Sequence, residues 1–217
     1  MSCPQCQGID AFFDAREAQC DLARYRKNGP DRTTRMLLDA VEAEGVEGRS
    51  LLDIGGGVGA IQHELIAAGL ASAVSVDASR AHLEVARQEA ERRGHAERIQ
   101  QRFGDFVDLA PEVEAADIVT LAAVICCYHD VEKLVGLSSA KAKRMYAVVY
   151  PRDNWPFRVL TRLVNMLFWI TRARSRLFVH PTAVVEGLVT GNGLTRTYYR
   201  KVDTWQVAVY TRPNPTP

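Results

Sequence analysis

The sequence predicts an α/β fold in which a mostly parallel seven-stranded sheet is flanked by helices and ends in an antiparallel hairpin. From Ser50 onward, short apolar runs alternate with amphipathic helical segments, a pattern typical of a parallel sheet. A glycine-rich turn follows the first run, as it does where a strand leads into a helix at a ligand site. Two alternating runs near the C-terminal end, Leu194–Val202 and Trp205–Tyr210, predict the hairpin.

A chain of 217 residues with 47% hydrophobic side chains can bury one sizeable core. We therefore expect one α/β domain over residues 45–212. A helical extension or lid over residues 1–44 precedes it, and a loose tail over residues 213–217 follows it. Within the extension, residues 9–27 and 31–44 read as helices, and Asp31 is the expected N-cap of the second. These helices can cover the ligand edge of the sheet.

The strands and helices of the domain follow from the spacing of apolar residues. The strands predicted before the hairpin are Ser50–Ile54, Ala73–Val76, Arg98–Arg102, Asp117–Leu121 and Arg144–Val149. The helices predicted between them cover residues 60–68, 79–93 and 130–139. Ser79 is the expected cap of the second of these helices, and Leu83, Ala86 and Ala90 mark its buried face.

A further amphipathic helix is predicted over Phe157–Arg172. Arg158, Thr161, Arg162 and Asn165 share one polar stripe, and apolar side chains occupy the rest of the helix. The basic residues, which continue through Arg172, Arg174 and Arg176, suit either a carboxylated apolar substrate or a membrane surface. The simpler interpretation is that the stripe is the solvated face of the helix.

The overall charge favours a small-molecule substrate. The 27 basic and 26 acidic side chains nearly cancel and are interspersed, so the chain has no overall field suited to nucleic acid. Neither a signal peptide nor an apolar stretch of membrane-spanning length is apparent, so we expect a cytoplasmic protein without a membrane span. Peripheral membrane contact is compatible with the sequence, and the oligomeric state is not indicated.

The five cysteines are odd in number and form no convincing disulfide framework, so free thiols are expected. Cys3 and Cys6 form a C-x-x-C pair that supplies half of a zinc site. A closed site needs four ligands and the sequence offers no second pair, so we expect no bound metal.

The glycine loop is the strongest functional signal. Gly55, Gly56, Gly57 and Gly59 lie where the first strand leads into a helix, and a Cβ there would hinder the tight turn and the approach of a ligand. Gly55, Gly57 and Ala60 also satisfy the dinucleotide pattern G-x-G-x-x-A, so a nicotinamide cofactor is an alternative. Against it, the carboxylate of Asp53 would repel a pyrophosphate, whereas it suits a cationic ligand.

Further acids follow the next two strands. Asp77 can accept hydrogen bonds from both ribose hydroxyls of a nucleoside. The Asp105 carboxylate can bind an adenine amino group while Phe106 packs on the base. Each acid has a simpler explanation as a helix cap or a solvated loop residue, but three acids at successive strand ends favour a cofactor site. Ala78, beside Asp77, and Ala122, at the end of the fourth strand, belong to the same predicted site.

The arrangement resembles the class I S-adenosylmethionine-dependent methyltransferases, whose first motif is D/E-x-G-x-G-x-G. Here the motif is Asp53-x-Gly55-x-Gly57-x-Gly59, and the acids at positions 77 and 105 also match the family pattern. The resemblance implies a Rossmann-like fold, S-adenosylmethionine as the cofactor, and an N-terminal segment that folds over it with Tyr25 and Arg26. A weaker resemblance, carried by residues 117–130 and 179–181, is to the magnesium-protoporphyrin IX O-methyltransferase branch.

The resemblance also places the loop Val124–Asp130 beside both cofactor and substrate. His129 is the best candidate for a general base, because its ordinary pKa lies near neutrality, and Tyr128 is a candidate for orienting the substrate. The simpler interpretation of His129 is a polar residue at a helix start, and Cys126 and Cys127 are expected to pack. The predicted function is methyl transfer to a small apolar molecule at oxygen, with a porphyrin carboxylate as one instance. A nicotinamide-dependent oxidoreductase and a non-catalytic cofactor-binding module are the alternatives.

Overall fold

A computed structural model describes residue 10, residues 14–170 and residues 176–213 of the chain. Its centre is a seven-stranded sheet with the order β3-β2-β1-β4-β5-β7-β6. The first five strands are parallel, and β7 runs antiparallel between β5 and β6. The strands are β1 (Ser50–Ile54), β2 (Ser72–Asp77), β3 (Ile99–Phe103), β4 (Ala116–Ala122), β5 (Ala142–Pro151), β6 (Thr195–Val202) and β7 (Trp205–Thr211).

Eight helices accompany the sheet in the described part of the chain, together with short 3-10 turns at Ala96–Arg98 and Ile125–Cys127. They are α1 (Ala15–Asn28), α2 (Arg32–Ala43), α3 (Ala60–Ala67), α4 (Arg80–Arg93), α5 (Phe106–Leu109), α6 (Val131–Ala140), α7 (Trp155–Ile170) and α8 (Thr182–Gly191). Asp31 caps α2 and Ser79 caps α4, as the sequence predicts, because each side chain accepts a backbone N–H from the first turn.

Two apolar layers cover the sheet. One contains Leu38 of α2 and Leu65 of α3, and the other contains Leu134 of α6 and Val185 of α8. A smaller cluster joins Ala18 and Leu22 of α1 to Val85 of α4. This small cluster holds α1 beside the carboxyl edge of the sheet, near the turns that follow β1 and β2.

The predicted fold class is confirmed, and each predicted strand lies within two residues of the observed one. Leu83, Ala86 and Ala90 are buried, as predicted for the inner face of α4. Helices α5 and α8 were not predicted. Cys3, Cys6, Arg172, Arg174 and the last four residues of the predicted tail lie outside the described residues. No described helix is long and apolar enough to cross a bilayer.

The orientation of α7 corrects the predicted polar stripe. Arg158 and Arg162 are exposed, but Thr161 is buried, and the Asn165 side chain bonds both the N–H and the C=O of Leu177. Much of the apolar remainder of the helix, including Leu163, faces solvent. The stripe is therefore not one solvated face, because Thr161 is buried and hydrogen bonds to Leu177 draw Asn165 inward.

Candidate functional site

A cavity of about 240 Å³ opens at the carboxyl ends of the parallel strands. The turns that follow β1, β2, β3 and β4 all contribute to its wall. Among the predicted cofactor residues, those that line it are Gly55, Gly57, Asp77, Ala78, Asp105, Phe106 and Ala122. Seven predicted residues from four separate turns therefore meet in one cavity, as the geometry of a parallel sheet requires.

The glycine loop contributes Gly55 and Gly57 to the wall of this cavity, whereas Gly56 lines an adjoining cavity and Gly59 lines neither. Gly55, Gly57 and Gly59 have φ values of +67°, +54° and +83°, a region that side chains with a Cβ rarely adopt. A Cβ on Gly55 would overlap the Val124 side chain across the cavity. A Cβ on Gly56 would overlap the Gln62 amide beneath the loop. Glycine is therefore required at Gly55 by both conformation and space, at Gly57 and Gly59 by conformation, and at Gly56 by space.

Asp53 lies beneath the loop rather than in the wall of the cavity. Its Oδ1 accepts a hydrogen bond from Thr120 Oγ1 at 2.6 Å, and its Oδ2 accepts one from Gln62 Nε2 at 3.1 Å. Burial raises the pKa of this carboxyl to about 6, and the hydrogen bonds from Thr120 and Gln62 oppose the rise. The Gln62 amide also donates to Ser75 Oγ at 2.9 Å. Asp53 thus organises the support of the loop, and its direct contact with a cofactor stays a prediction.

Asp77 lines the cavity at the end of β2. Its Oδ2 accepts from the Gly57 N–H at 2.9 Å, and its Oδ1 accepts from the Ser79 N–H at 2.8 Å. Burial raises the pKa of Asp77, although the backbone N–H groups and neighbouring His82 stabilise the charged form. The carboxylate therefore orients the glycine loop, and each of its oxygens has a further lone pair that a ribose hydroxyl can use.

Asp105 and Tyr128 form a buried pair at the next strand end. Asp105 caps α5 by accepting the Val107 N–H at 2.9 Å. The Tyr128 hydroxyl donates to both carboxylate oxygens, at 3.1 Å and 2.9 Å. Tyr128 is therefore tied to the predicted adenine side of the cavity, where buried Phe106 also lies. Its predicted role in orienting a substrate stays a prediction.

Ala123 is a functional-site residue that sequence reasoning missed. It has φ +60° at the end of β4, a conformation that is uncommon for a residue with a Cβ. Its N–H donates to Val149 O at 2.9 Å, and its carbonyl accepts the Cys126 thiol at 3.4 Å. The turn directs Val124 over Gly55 and brings Cys127 into the wall. An alanine gives no sequence signal for such a turn, so the turn could not be predicted from position 123.

Helix α1 covers the other side of the glycine loop. Tyr25 lines an adjoining cavity that shares Asp21, Gly55 and Gly57 with the first. Its hydroxyl donates to Glu64 Oε1 at 2.9 Å, and burial raises the pKa of the phenol above its usual range. Tyr25 therefore lies beside the glycine loop, and its contact with a cofactor stays a prediction. Arg26 instead binds Glu89 of α4.

His129 is exposed and is absent from the described wall of the cavity. Its ring stacks on Tyr128 with the centroids 5.2 Å apart. A second imidazole, that of His180, is bound to the same loop, because its Nε2 donates to Tyr128 O at 2.9 Å. Burial lowers the pKa of His180. The role of His129 as a general base stays a prediction.

The residues of the cavity fit S-adenosylmethionine. Gly55 and Gly57 line the cavity, so a ligand there would contact the backbone of the glycine turn. Asp77 offers acceptors for a ribose diol, and Asp105 with Phe106 offers a carboxylate and an aromatic face for adenine. No group of three or more potential metal ligands occurs among the described residues.

Comparisons with known proteins agree with this site. Residues 52–138, which carry the glycine loop and all three acids, match the family described as methyltransferase domain. No curated protein sequence matches the chain. Similar solved structures include magnesium protoporphyrin IX methyltransferase from Synechocystis PCC 6803 with bound S-adenosylhomocysteine, at 18% identity and a TM-score of 0.69. That match covers 94% of this chain and 98% of the other.

Two further structures are similar over most of this chain. An O-methyltransferase family protein from Burkholderia thailandensis has 18% identity and a TM-score of 0.69; the match covers 92% of this chain but 60% of the other. A putative methyltransferase of Haloferax volcanii, in complex with the Trm112 activator, has 15% identity and a TM-score of 0.70 over 96% and 99% of the two chains. These likenesses establish the fold. The match over residues 52–138 is to a methyltransferase domain, which favours S-adenosylmethionine over a nicotinamide as the cofactor. Its binding by the glycine loop stays a prediction.

Proposed function

We propose that this S-adenosylmethionine-dependent methyltransferase transfers the methyl group to an oxygen of a small, largely apolar acid, and that a carboxylate is the reacting group. A porphyrin carboxylate is one acceptor of this class. The methyl donor is inferred from the match to a methyltransferase domain, whereas the nature of the acceptor is inferred from the residues that line the cavity.

The observation that carries the proposal is that the ionisable side chains in the described wall form hydrogen bonds within the protein. Asp77 and Asp105 accept hydrogen bonds within the protein, and Tyr128 donates to Asp105. His82 bonds Ser79 and Asp21. Asp21 also pairs with Arg24, and the Cys127 thiol contacts Cys126 Sγ and Ala123 O. Because each ionisable group of the described wall is engaged within the protein, none is positioned as a base for an acceptor. A carboxylic acid needs none, because it is already ionised at neutral pH.

The remaining wall is apolar and can hold such an acceptor in a dry environment. Ile54, Val76, Val124 and Leu134 contribute to it. Bound S-adenosylmethionine supplies an electrophilic methyl group on a sulfonium. The protein's own contribution is to hold the acceptor in line with that group and to exclude water.

Two of the similar structures support an oxygen-directed reaction. The Synechocystis protein is a magnesium protoporphyrin IX methyltransferase, and the Burkholderia protein is assigned to an O-methyltransferase family. Because both are only 18% identical to this chain, they indicate an acceptor class worth testing first.

The test uses S-adenosylmethionine with an isotopically labelled methyl group and a panel of apolar carboxylic acids, phenols and amines, including magnesium protoporphyrin. A methyl ester releases labelled methanol in mild alkali, whereas a methyl ether or an N-methyl product does not. We expect alkali-labile label from carboxylic acids. Alkali-stable label from phenols or amines alone would contradict the proposal.

Titration calorimetry with S-adenosylhomocysteine accompanies the test. Tight binding together with no product from the panel would locate the error in the acceptor class. Absence of binding would instead point to an inactive preparation.

A further inference from the structure

Helix α7 exposes a broad apolar surface. Trp155 and Trp169, near its two ends, are 77% and 75% exposed. Between them the exposed large apolar residues are Val159, Leu160, Leu163, Met166 and Leu167, and Ile170 ends the helix at 62%. Single exposed apolar residues are ordinary, but a contiguous set on one helix marks an interaction surface.

The surface is one continuous helical face. Val159, Leu163, Met166 and Ile170 follow one another at intervals of four, three and four residues, so they form a single stripe along the axis. Thr161 is buried, and Asn165 bonds the backbone of Leu177. The side of the helix that carries Thr161 and Asn165 therefore faces the protein, where Asn165 binds Leu177, and the apolar stripe faces outward.

Arginines border this stripe. Arg158 and Arg162 are exposed and lie beside it on the same side of the helix. Residues 152–176 contain six arginines, one aspartate and no lysine or glutamate. The rest of the chain has 21 basic and 25 acidic residues, so the near-balance of the whole chain hides a locally positive segment.

We propose that α7 docks on an anionic lipid bilayer and lies in the plane of the interface. An outward apolar stripe, bordering arginines and tryptophans at both ends are the features by which interfacial helices bind headgroups and the outer acyl region. The 16 residues of α7 favour lying along a membrane over spanning one. The charge of the segment selects anionic over neutral lipid.

A second copy of the chain fits this surface less well. A two-fold contact would place each patch against itself and bring the arginine-rich segments together. The segment holds a single acid, Asp153, which already accepts two hydrogen bonds from Arg158. Lipid headgroups provide the missing negative charge.

Docking would place the bilayer near the candidate site. Beyond α7, Phe178 donates its N–H to Cys126 O at 2.8 Å, and His180 binds Tyr128 O. The chain that follows the docking helix thus contacts the loop that borders the cavity. Lipid binding itself requires no methyl acceptor, so the inference can be tested whether or not the proposed function is correct.

Flotation of the full chain with vesicles tests the proposal. Vesicles of neutral phosphatidylcholine are compared with vesicles that contain about 30 mol% phosphatidylglycerol. We expect at least a tenfold preference for the anionic vesicles, which falls in about 0.5 M salt. The double variant Leu163→Gln/Met166→Gln should lose at least tenfold in vesicle binding. The matched control Leu137→Gln/Val184→Gln, which changes exposed apolar residues on α6 and α8, should bind normally.

Tryptophan fluorescence locates the contact. The chain has three tryptophans, so Trp205→Phe leaves only the two on α7. Anionic vesicles made with brominated lipid should quench this variant strongly. Equal binding to both vesicle types, or binding without quenching, would overturn the proposal. So would a wild-type dimer that ignores vesicles and dissociates in the Leu163→Gln/Met166→Gln variant.

Discussion

Asp53 is fully enclosed beneath the glycine loop, and this burial makes its ionisation unfavourable. Its pKa is raised to about 6, whereas an unfolded aspartate has a pKa of about 4. Between these values the folded state holds a proton that the unfolded state has lost. The contribution of Asp53 to the free energy of unfolding is therefore largest below about pH 4, falls as the pH rises to 6, and is constant above.

We expect Asp53→Asn to remove this dependence. Relative to wild type, the variant should gain about 3 kcal/mol in free energy of unfolding between pH 4 and pH 7, since two pKa units correspond to roughly that amount. Urea unfolding without cofactor, at a series of pH values, measures the difference. Asp39→Asn, on the exposed face of α2, is the control and should track wild type. Parallel curves for Asp53→Asn and wild type would contradict the expectation.

Gly56 tests the packing beneath the loop. A Cβ there would overlap the Gln62 amide and fall 2.6 Å from Ser75 Oγ, so Gly56→Ala must displace either the loop or the buried side chains beneath it. We expect a loss of about tenfold or more in affinity for S-adenosylhomocysteine, measured by calorimetry. Gly187→Ala is the control, because its added Cβ meets nothing within 4 Å and lies in a helix. Unchanged affinity in Gly56→Ala would show that the loop can yield.

Substitution of His129 distinguishes acceptors that need a general base from acceptors that do not. A phenol or alcohol would depend on a base, and removal of that base would lower the rate by about 10² or more. Because the proposed acceptor is a carboxylate and His129 is exposed, we expect His129→Gln to retain the wild-type kcat within about twofold. The rate should also stay flat between about pH 6 and pH 8. A large loss in kcat with a normal cofactor affinity would restore His129 as a base.

At the scale of the element, Glu89 joins two helices through ionic hydrogen bonds. Its side chain is buried on α4 and binds Arg92 at 2.6 Å, Arg93 at 2.7 Å and Arg26 of α1 at 2.8 Å. The three guanidinium groups hold the pKa of Glu89 well below its usual range. Its contribution to stability is therefore present above about pH 4 and is lost as the pH falls further.

Glu89→Gln should lower the free energy of unfolding by about 3 kcal/mol at pH 7, because it leaves the arginines without their shared partner. The loss should shrink on acidification, and hydrogen exchange in α1 should become faster. Glu84→Gln on the same helix breaks an exposed pair with Arg87 and should cause no measurable change. Equal effects of the two substitutions would show that the cluster does not join the helices.

The sequence predicted most elements because their signals are local. Apolar runs define the strands, and Asp31 and Ser79 are N-caps that need only their own first turn. The orientation of α7 was not predictable in this way, because the burial of Thr161 and the hydrogen bonds of Asn165 to Leu177 depend on the tertiary fold. The same limit applies to the site. The positions of Asp77 and Asp105 in the cavity were predictable because both residues follow strand ends. The position of Asp53 beneath the loop was not, because its hydrogen bonds come from Thr120 and Gln62 on other elements.

At the scale of the whole molecule, cofactor binding should couple to folding. The cavity is assembled from four strand ends and is covered on one side by α1, so unfolding of the domain destroys it. A ligand that binds only the folded state stabilises it by about 2.7 kcal/mol at a concentration of 100 times its Kd. For a chain of this length, that corresponds to an increase in Tm of about 5–10 °C.

We expect S-adenosylhomocysteine to produce this increase in a thermal-unfolding measurement, and NAD at the same concentration to produce none. Asp77→Ala should abolish the increase, because it removes both the carboxylate of the cavity and the acceptor of the Gly57 N–H. Asp203→Ala, on an exposed turn between β6 and β7, should preserve it. Stabilisation by NAD alone would mean that the glycine loop is a dinucleotide site after all. If Asp77→Ala retained the increase in Tm, the ligand would bind outside this cavity.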